Sequence, residues 1–181
     1  MNKNDSIYQT IAEASNSLKI KLIKQLGNDD KNQIIELSKE LGPIFGNDAI
    51  LTISNIDKYF NKNTYPFIAE FNNHIIGFII GVPLEIFSEE SWSHYDVNLG
   101  KNNTIYTYIY LIKKNYRKQG GYSKTLKMIY LNWAKKRGYK FITGHVIKGL
   151  SEKFSPKTEV IKIFPSWYGQ NEPYEYYRRP L

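Results

Sequence analysis

The sequence predicts an α/β (α+β) fold in which a mixed, mostly antiparallel sheet is flanked by helices. Three stretches of the 181-residue chain carry that expectation. Leu18–Leu26 (LKIKLIKQL) alternates apolar and polar residues at the period of a half-buried strand. YPFIAEFNNHIIGFIIGVPLEIF, starting at Tyr65, places two apolar runs around Asn72–Asn73, which tolerate left-handed dihedrals, and so reads as a hairpin. Ile105–Val146 reads as a strand, a basic glycine turn, an amphipathic helix and a second strand. A helix joining two strands in this way makes them parallel neighbours.

The remaining elements follow in order. Residues 1–17 read as an N-terminal extension, with a helix over Ile7–Ala14, and residues 18–181 as one domain. After Gly27, NDDKNQIIELSKEL opens with Asn and Asp and spaces Ile34, Ile35 and Leu37 helically. That helix should end at Gly42–Pro43. A second short helix fits Ser54–Asn61, with Ser54 as its N-cap. Ser88–Asn103 is a polar loop longer than a hairpin needs, either functional or a surface insertion.

IYTYIYLI is apolar on both faces, with Tyr106, Tyr108, Tyr110 and Ile112 on one and Ile105, Ile109 and Leu111 on the other. Such a pattern belongs to a central strand. In the helix that follows, Leu126, Ile129, Tyr130, Trp133 and Ala134 form one buried stripe. Lys135, Lys136 and Arg137 complement the negative end of its dipole, and Gly138 stands where a C′ glycine belongs. SPKTEVIKIF fits either a helix capped by Ser155 with Pro156 in its first turn, or a strand over Glu159–Phe164. YEYYRRPL reads as a final strand, with Tyr174, Tyr176 and Tyr177 in the sheet and Arg178 and Arg179 solvated.

Composition narrows the chemistry. There is no cysteine, which excludes disulfides, zinc–thiolate sites and cysteine nucleophiles. His74, His94 and His145 lack metal-ligand spacing, so no metal is expected. No apolar stretch is long enough to span a bilayer and the N-terminus lacks signal-peptide anatomy, so the expected location is the cytoplasm, away from membranes. The net charge of +8 suits an anionic ligand, an acidic protein surface or nucleic acid, although abundant Asn, Lys, Ile and Tyr give it a compositional origin. Composition does not explain the cations gathered beside Gly120–Gly121. There, Arg117, Lys118, Gln119, Gly120, Gly121, Tyr122 and Ser123 lead directly into a helix N-terminus, whose unpaired N–H groups and partial positive charge favour phosphate.

This order of elements, together with YLIKKNYRKQGGYSKTL (Tyr110–Leu126), resembles the GNAT superfamily of acyl-CoA-dependent N-acyltransferases. Its hallmark is a hydrophobic strand followed by R/Q-x-x-G-x-G/A at a helix start. The resemblance covers about Leu18 to the C-terminus and is strongest over Ile105–Val146. Counting forward from the strand makes Arg117 the motif's arginine and Gly120 its first glycine, with Tyr122 at the small-residue position. Counting back from Leu126 makes Gly121 the first glycine and Ser123 the small residue, with Lys118 in place of arginine. The second register keeps a small residue where backbone must approach phosphate and is preferred; one extra loop residue reconciles the two.

The resemblance implies an N-acetyltransferase with acetyl-CoA as donor and a primary amine, on a small molecule or a protein, as acceptor. The amine attacks directly in a ternary complex. It implies pantetheine along the backbone of Tyr110, Leu111 and Ile112, pyrophosphate on the turn from Arg117 to Ser123, and an oxyanion-stabilising N–H near Leu111–Ile112. It also implies a tyrosine that protonates the leaving thiolate, for which Tyr168 is the candidate. Ile105–Ile112 contains no Asp or Glu, so the family's common strand carboxylate is missing; Glu85, Glu89, Glu90 and His94 are substitutes. The resemblance allows a homodimer. Two rival readings are a GNAT-like module that binds acyl-CoA without turnover and, third in rank, a basic nucleic-acid-binding domain, for which the chain carries no motif.

Overall fold

A computed structural model of the chain describes residues 5–14, 17–167, 169 and 171–181. Its strands are β1 (Ile7–Glu13), β2 (Leu18–Gln25), β3 (Tyr65–Phe71), β4 (His74–Pro83), β5 (Thr104–Ile112), β6 (Phe141–Ile147), β7 (Glu159–Phe164) and β8 (Tyr174–Pro180). They form one mixed sheet in the order β1-β2-β3-β4-β5-β6-β8-β7. The helices are α1 (Asn28–Ser38), α2 (Gly42–Phe45), α3 (Ile56–Tyr59) and α4 (Tyr122–Lys136). Pairing is antiparallel for β1–β2, β2–β3, β3–β4, β6–β8 and β7–β8, and parallel for β5–β6. The chain divides into two compact units, Met1–Gly81 with Ile109–Tyr130 and Val82–Tyr108 with Leu131–Leu181, and the division falls inside β4, β5 and α4.

In the first unit, the expected hairpin forms, and Asn72 and Asn73 both take positive φ (49° and 63°). Two successive left-handed residues give the turn whose twist matches that of the flanking strands. The expected N-terminal helix over Ile7–Ala14 is instead strand β1. Eight residues are too few for a helix to sustain itself, whereas β2 offers an edge of unpaired backbone groups. Tyr8 anchors the new edge strand by donating its hydroxyl to Asp30 and by lying under Lys21 Nζ, 4.6 Å from the ring centroid.

Helix α1 begins as expected, with Asp29 and Asp30 in its first turn, where the dipole favours acidic side chains. Gly42–Pro43 does not end the helical path. A 3-10 turn at Lys39–Leu41 leads into α2, and Pro43 occupies its first turn, where a missing N–H has no consequence. The expected helix over Ser54–Asn61 shortens to α3, with Asn55 rather than Ser54 at the N-cap. Helix α4 packs Tyr130 edge-on against Phe67 of β3, with ring centroids 5.6 Å apart.

In the second unit, Ser88–Asn103 is largely a folded segment. It holds a 3-10 helix at Ser91–Tyr95 and buries Trp92, Ser93, Asp96 and Asn98. SPKTEVIKIF resolves as strand β7, paired with β8 from Glu159↔Arg178 to Phe164↔Tyr174. Its Val160, Ile161 and Ile163 favour extended backbone. Between β6 and β7 the described residues hold only a 3-10 turn, Ser151–Lys153. The buried Glu175 carboxylate accepts the N–H groups of Gly149 (3.0 Å) and Ser151 (2.7 Å). Arg178, expected to be solvated, is mostly buried and paired with Asp96 at 2.7 Å and Glu159 at 2.7 Å.

One close approach sets the position of the end of β5. A Cβ at Gly77 of β4 would lie 2.7 Å from the Leu111 carbonyl oxygen and 2.3 Å from Ile112 Cδ1. The Ile112 methyl can rotate away, but the backbone oxygen can yield only if the strand moves. Gly77→Val should therefore lower stability by about 1–3 kcal/mol in chemical denaturation. It should also shift the backbone amide resonances of Leu111 and Ile112 more than those of β2.

Candidate functional site

The last residues of β5 and the turn that follows build the site in the first unit. The ladder from β5 to β6 runs Thr104–Tyr106 against Phe141–Thr143, so Ile109–Ile112 lies beyond it. On the β4 side, the Lys113 N–H donates to the Ile76 carbonyl at 2.8 Å. Leu111 and Ile112 are only 4% and 5% exposed, so their side chains belong to the core and only their backbone is available to a ligand. Tyr110 is 37% exposed. Its hydroxyl donates to the Ser123 carbonyl at 2.6 Å, tying the strand to the first turn of α4. Burial raises the Tyr110 pKa, against the opposing effect of that contact, and keeps the phenol protonated.

After a 3-10 turn at Lys114–Tyr116, Arg117 is extended and its N–H donates to the Lys114 carbonyl at 3.2 Å. Lys118, Gly120 and Gly121 then take left-handed φ of 60°, 61° and 67°. The next backbone donor with a protein acceptor is Thr125, bonded to Gly121 at 2.9 Å. Among the described residues, the N–H groups of Lys118 through Lys124 have no acceptor. Successive unpaired amides in a left-handed turn, continuing into a helix N-terminus, form a concavity suited to an anion.

The side chains here serve different purposes. The Arg117 guanidinium is committed to the scaffold. Its Nε donates to the Ile112 carbonyl at 2.6 Å, and it pairs with Glu40 at 2.6 Å. The same Glu40 carboxylate accepts the Lys114 N–H (2.9 Å). Gln119 bonds back to the Asn115 carbonyl. Lys118 and Lys124 remain exposed as cations beside the amides.

Tyr122, the residue at odds with the motif, opens α4 and turns its ring back over Gly120. A Cβ at Gly120 would come within 2.3 Å of that ring. The ring also packs on Phe71 (5.2 Å between centroids) and Tyr116 (5.8 Å). A Cβ at Gly121, by contrast, would meet nothing within 4 Å, so that position opens outward.

The other sequence candidates are scattered. Tyr168 lies outside the described residues. Glu89, Glu90 and His94 are exposed. Glu85 accepts the Asn102 N–H through Oε1 at 2.7 Å, and its Oε2 is buried without a partner. No group of three or more His, Asp or Glu side chains among the described residues could hold a metal ion, and no helix there is long and apolar enough to cross a membrane.

Sequence reasoning missed a constellation in the second unit. His145, on β6, shares a 2.9 Å hydrogen bond through Nδ1 with the Tyr106 hydroxyl. Its ring stacks on Trp167 (3.5 Å, 16°) and on Tyr176 (4.8 Å, 28°), and meets Trp92 edge-on (4.9 Å, 89°). Burial among these rings lowers the His145 pKa from near 6.5 to about 3. The only sequence signal was a histidine in a strand flanked by aromatic-rich segments, which names no partner.

No protein-family model matches the sequence, and no curated protein matches it. Solved structures do. A GCN5-related N-acetyltransferase from Kribbella flavida superposes with a TM-score of 0.66 at 14% identity, over 93% of this chain and 100% of that one. The ribosomal-protein-S18-alanine N-acetyltransferase from Escherichia coli gives 0.61 at 13% identity, over 90% and 93%. A GNAT-family acetyltransferase from Staphylococcus aureus gives 0.59 at 20% identity, over 90% and 99%. These likenesses establish the fold: the chain has the mixed α/β architecture of the GNAT N-acetyltransferases.

The buried neutral imidazole also makes stability depend on pH. Unfolded, His145 binds a proton near pH 6.5; folded, it does so only near pH 3. Its contribution is therefore fully present above about pH 6.5 and is lost as the pH falls toward about 3, an effect on the order of a few kcal/mol. Thermal melts between pH 7 and pH 4 should show a smaller loss of Tm for His145→Phe than for the parent chain.

Proposed function

We propose that this chain transfers an acetyl group from acetyl-CoA to a primary amine. The run of unpaired amides from Lys118 to Lys124, placed directly after a buried strand and opening α4, is the observation that carries the reading. A pyrophosphate held there would gain several charge-assisted hydrogen bonds and a favourable helix-dipole interaction, the latter worth about 0.3–1 kcal/mol. Lys118 and Lys124 add positive charge at its flanks. Arg117 works indirectly, holding the turn through Glu40 and Ile112.

The thioester of acetyl-CoA supplies an activated acyl group, so no nucleophile on the protein is required. The backbone of Tyr110, Leu111 and Ile112 supports the pantetheine arm, and an N–H near Leu111–Ile112 stabilises charge on the thioester oxygen. Gly77 permits the close strand approach that fixes this stretch. Catalysis is then mostly positioning and proton management. Tyr168 is assigned to protonate the thiolate as the C–S bond breaks. The acceptor is an amine on a protein or a small molecule; the Escherichia coli neighbour acts on a ribosomal-protein alanine, one example of the first kind. The absence of Asp and Glu from β5 favours a second reading, an acyl-CoA-binding module without turnover.

Calorimetry with acetyl-CoA, CoA and ATP tests the donor assignment, with binding of the first two expected. No binding of either at about millimolar concentration would sink it. Gly121→Val places a side chain in the open space before the turn. Gly138→Val, with φ of +89° and equally open surroundings, imposes a similar backbone penalty far along the helix. The Gly121 variant should lose at least about tenfold in acetyl-CoA affinity and the Gly138 variant should not. Acetyl-CoA binding without CoA release across an amine panel would select the module. A Tyr168→Phe enzyme that turns over normally would remove Tyr168 as the acid.

A further inference from the structure

The run from Val97 to Ser151 holds twelve of the chain's 25 Lys and Arg residues and none of its 17 Asp and Glu, so the rest of the chain is net acidic. A compositional excess of lysine would be spread along the sequence instead. Part of this charge gathers at one end of the second unit, where α4 turns into β6. Lys135, Lys136, Arg137 and Lys140 fall within six residues there. The Asn103 carbonyl accepts the N–H groups of Lys140 (2.7 Å) and Phe141 (3.1 Å), which brings the loop bearing Lys101 alongside. These five cations are exposed and stand in no ion pair among the described residues. The Arg137 guanidinium lies over the Trp133 ring, 5.1 Å from its centroid. Glu85 reaches the same loop but is turned inward, with Oε1 accepting the Asn102 N–H at 2.7 Å and Oε2 buried. The helix dipole accounts for Lys135 and Lys136 in the last turn of α4. It does not account for Lys101 and Lys140, which lie outside the helix.

We propose that this surface binds the phosphodiester backbone of a nucleic acid without reading its sequence. Clustered Lys and Arg neutralise phosphates and release condensed counterions, which supplies affinity without a pocket. The surroundings of the cations favour this partner over two other polyanions. A protein interface has an apolar, aromatic-rich centre and is depleted in Lys. Stable attachment to an anionic membrane adds an apolar element to the basic patch. Here the large apolar side chains beside the cations are buried, Trp133 at 8% exposure and Ile142 at 2%. The exposed apolar residues of this unit, such as Tyr95, Val97 and Ile163, belong to other segments. Arg137, supported on Trp133, offers a planar fork to phosphate, and the four lysines act as point charges around it. The surface is built by the second unit alone and shares no residue with the turn from Lys118 to Lys124, so it stands or falls independently of coenzyme A.

Fluorescence anisotropy of the full chain with labelled oligo-U and oligo-dT of about 20 nucleotides, longer than a typical single-strand site, tests this. Affinity should fall with salt at a log–log slope of about −2 to −3, from three or four phosphates at about −0.7 each. Equal affinity for the two assigns the backbone alone, and a preference for oligo-U assigns RNA through its 2′-hydroxyls. The triple variant Lys135→Gln, Lys136→Gln, Lys140→Gln should bind at least about tenfold more weakly, with a slope shallower by about two. A matched triple, Lys148→Gln, Lys153→Gln, Lys157→Gln, removes the same charge from exposed positions elsewhere in the unit and should do neither. If the first variant fails to fold, judged by far-UV circular dichroism, Lys101→Gln with Lys140→Gln, both outside α4, takes its place. Three results would overturn the proposal: no oligonucleotide binding at low salt, equal losses in the two triple variants, or tighter binding to polyglutamate or phosphatidylserine vesicles than to either oligonucleotide.

Discussion

Everything at the candidate cofactor turn depends on how the backbone hydrogen bonds around it are distributed. An unpaired amide is useful to a ligand only if the loop presenting it cannot collapse to pair it. Here the collapse is blocked from three sides. Tyr110 fastens the strand to the Ser123 carbonyl, Arg117 clamps the Ile112 carbonyl, and Glu40 holds both Arg117 and the Lys114 N–H. The left-handed residues Lys118, Gly120 and Gly121 then carry the chain into α4 with its donors facing outward. The side chains that look most like phosphate ligands in the sequence, Arg117 above all, are occupied in keeping the backbone available.

This division of labour also accounts for the one-residue mismatch with the family motif. A large side chain at the start of the helix would obstruct an approaching phosphate only if it pointed toward it. The Tyr122 ring instead folds back over Gly120 into contact with Phe71 and Tyr116, and position 121 stays open. Gly120 answers both the Tyr122 ring and its own φ of +61°, and Gly121 answers its φ of +67° alone.

Features that depend on neighbours in sequence were legible before the structure. The Asn72–Asn73 turn, the α4 stripe (buried at Leu126, Tyr130, Trp133 and Ala134, with Ile129 only partly covered), the C′ position of Gly138 and the parallel β5–β6 pair all follow from local chemistry or connection rules. What was not legible depends on distant partners. β1 is a strand because β2 offers an edge, and Arg178 is buried because Asp96 arrives from 82 residues away. Glu40 becomes part of the turn across 77 residues. His145 illustrates the limit most clearly: its sequence neighbours say strand, and only packing brings Trp92 and Trp167 onto it.

The magnitude of the His145 shift decides what that residue can do. A lone buried imidazole between a tyrosine hydroxyl and an indole invites the role of general base. Its conjugate acid titrates near pH 3, however, whereas an alkylammonium titrates near pH 10. Moving a proton from such an amine to His145 would be uphill by about seven pKa units, on the order of 10 kcal/mol. A base fit for the task has a pKa near the working pH. The aromatic walls that bury His145 therefore remove its basicity near neutral pH. Under the proposed acetyl transfer, the acceptor amine would lose its proton to water or to a carboxylate elsewhere.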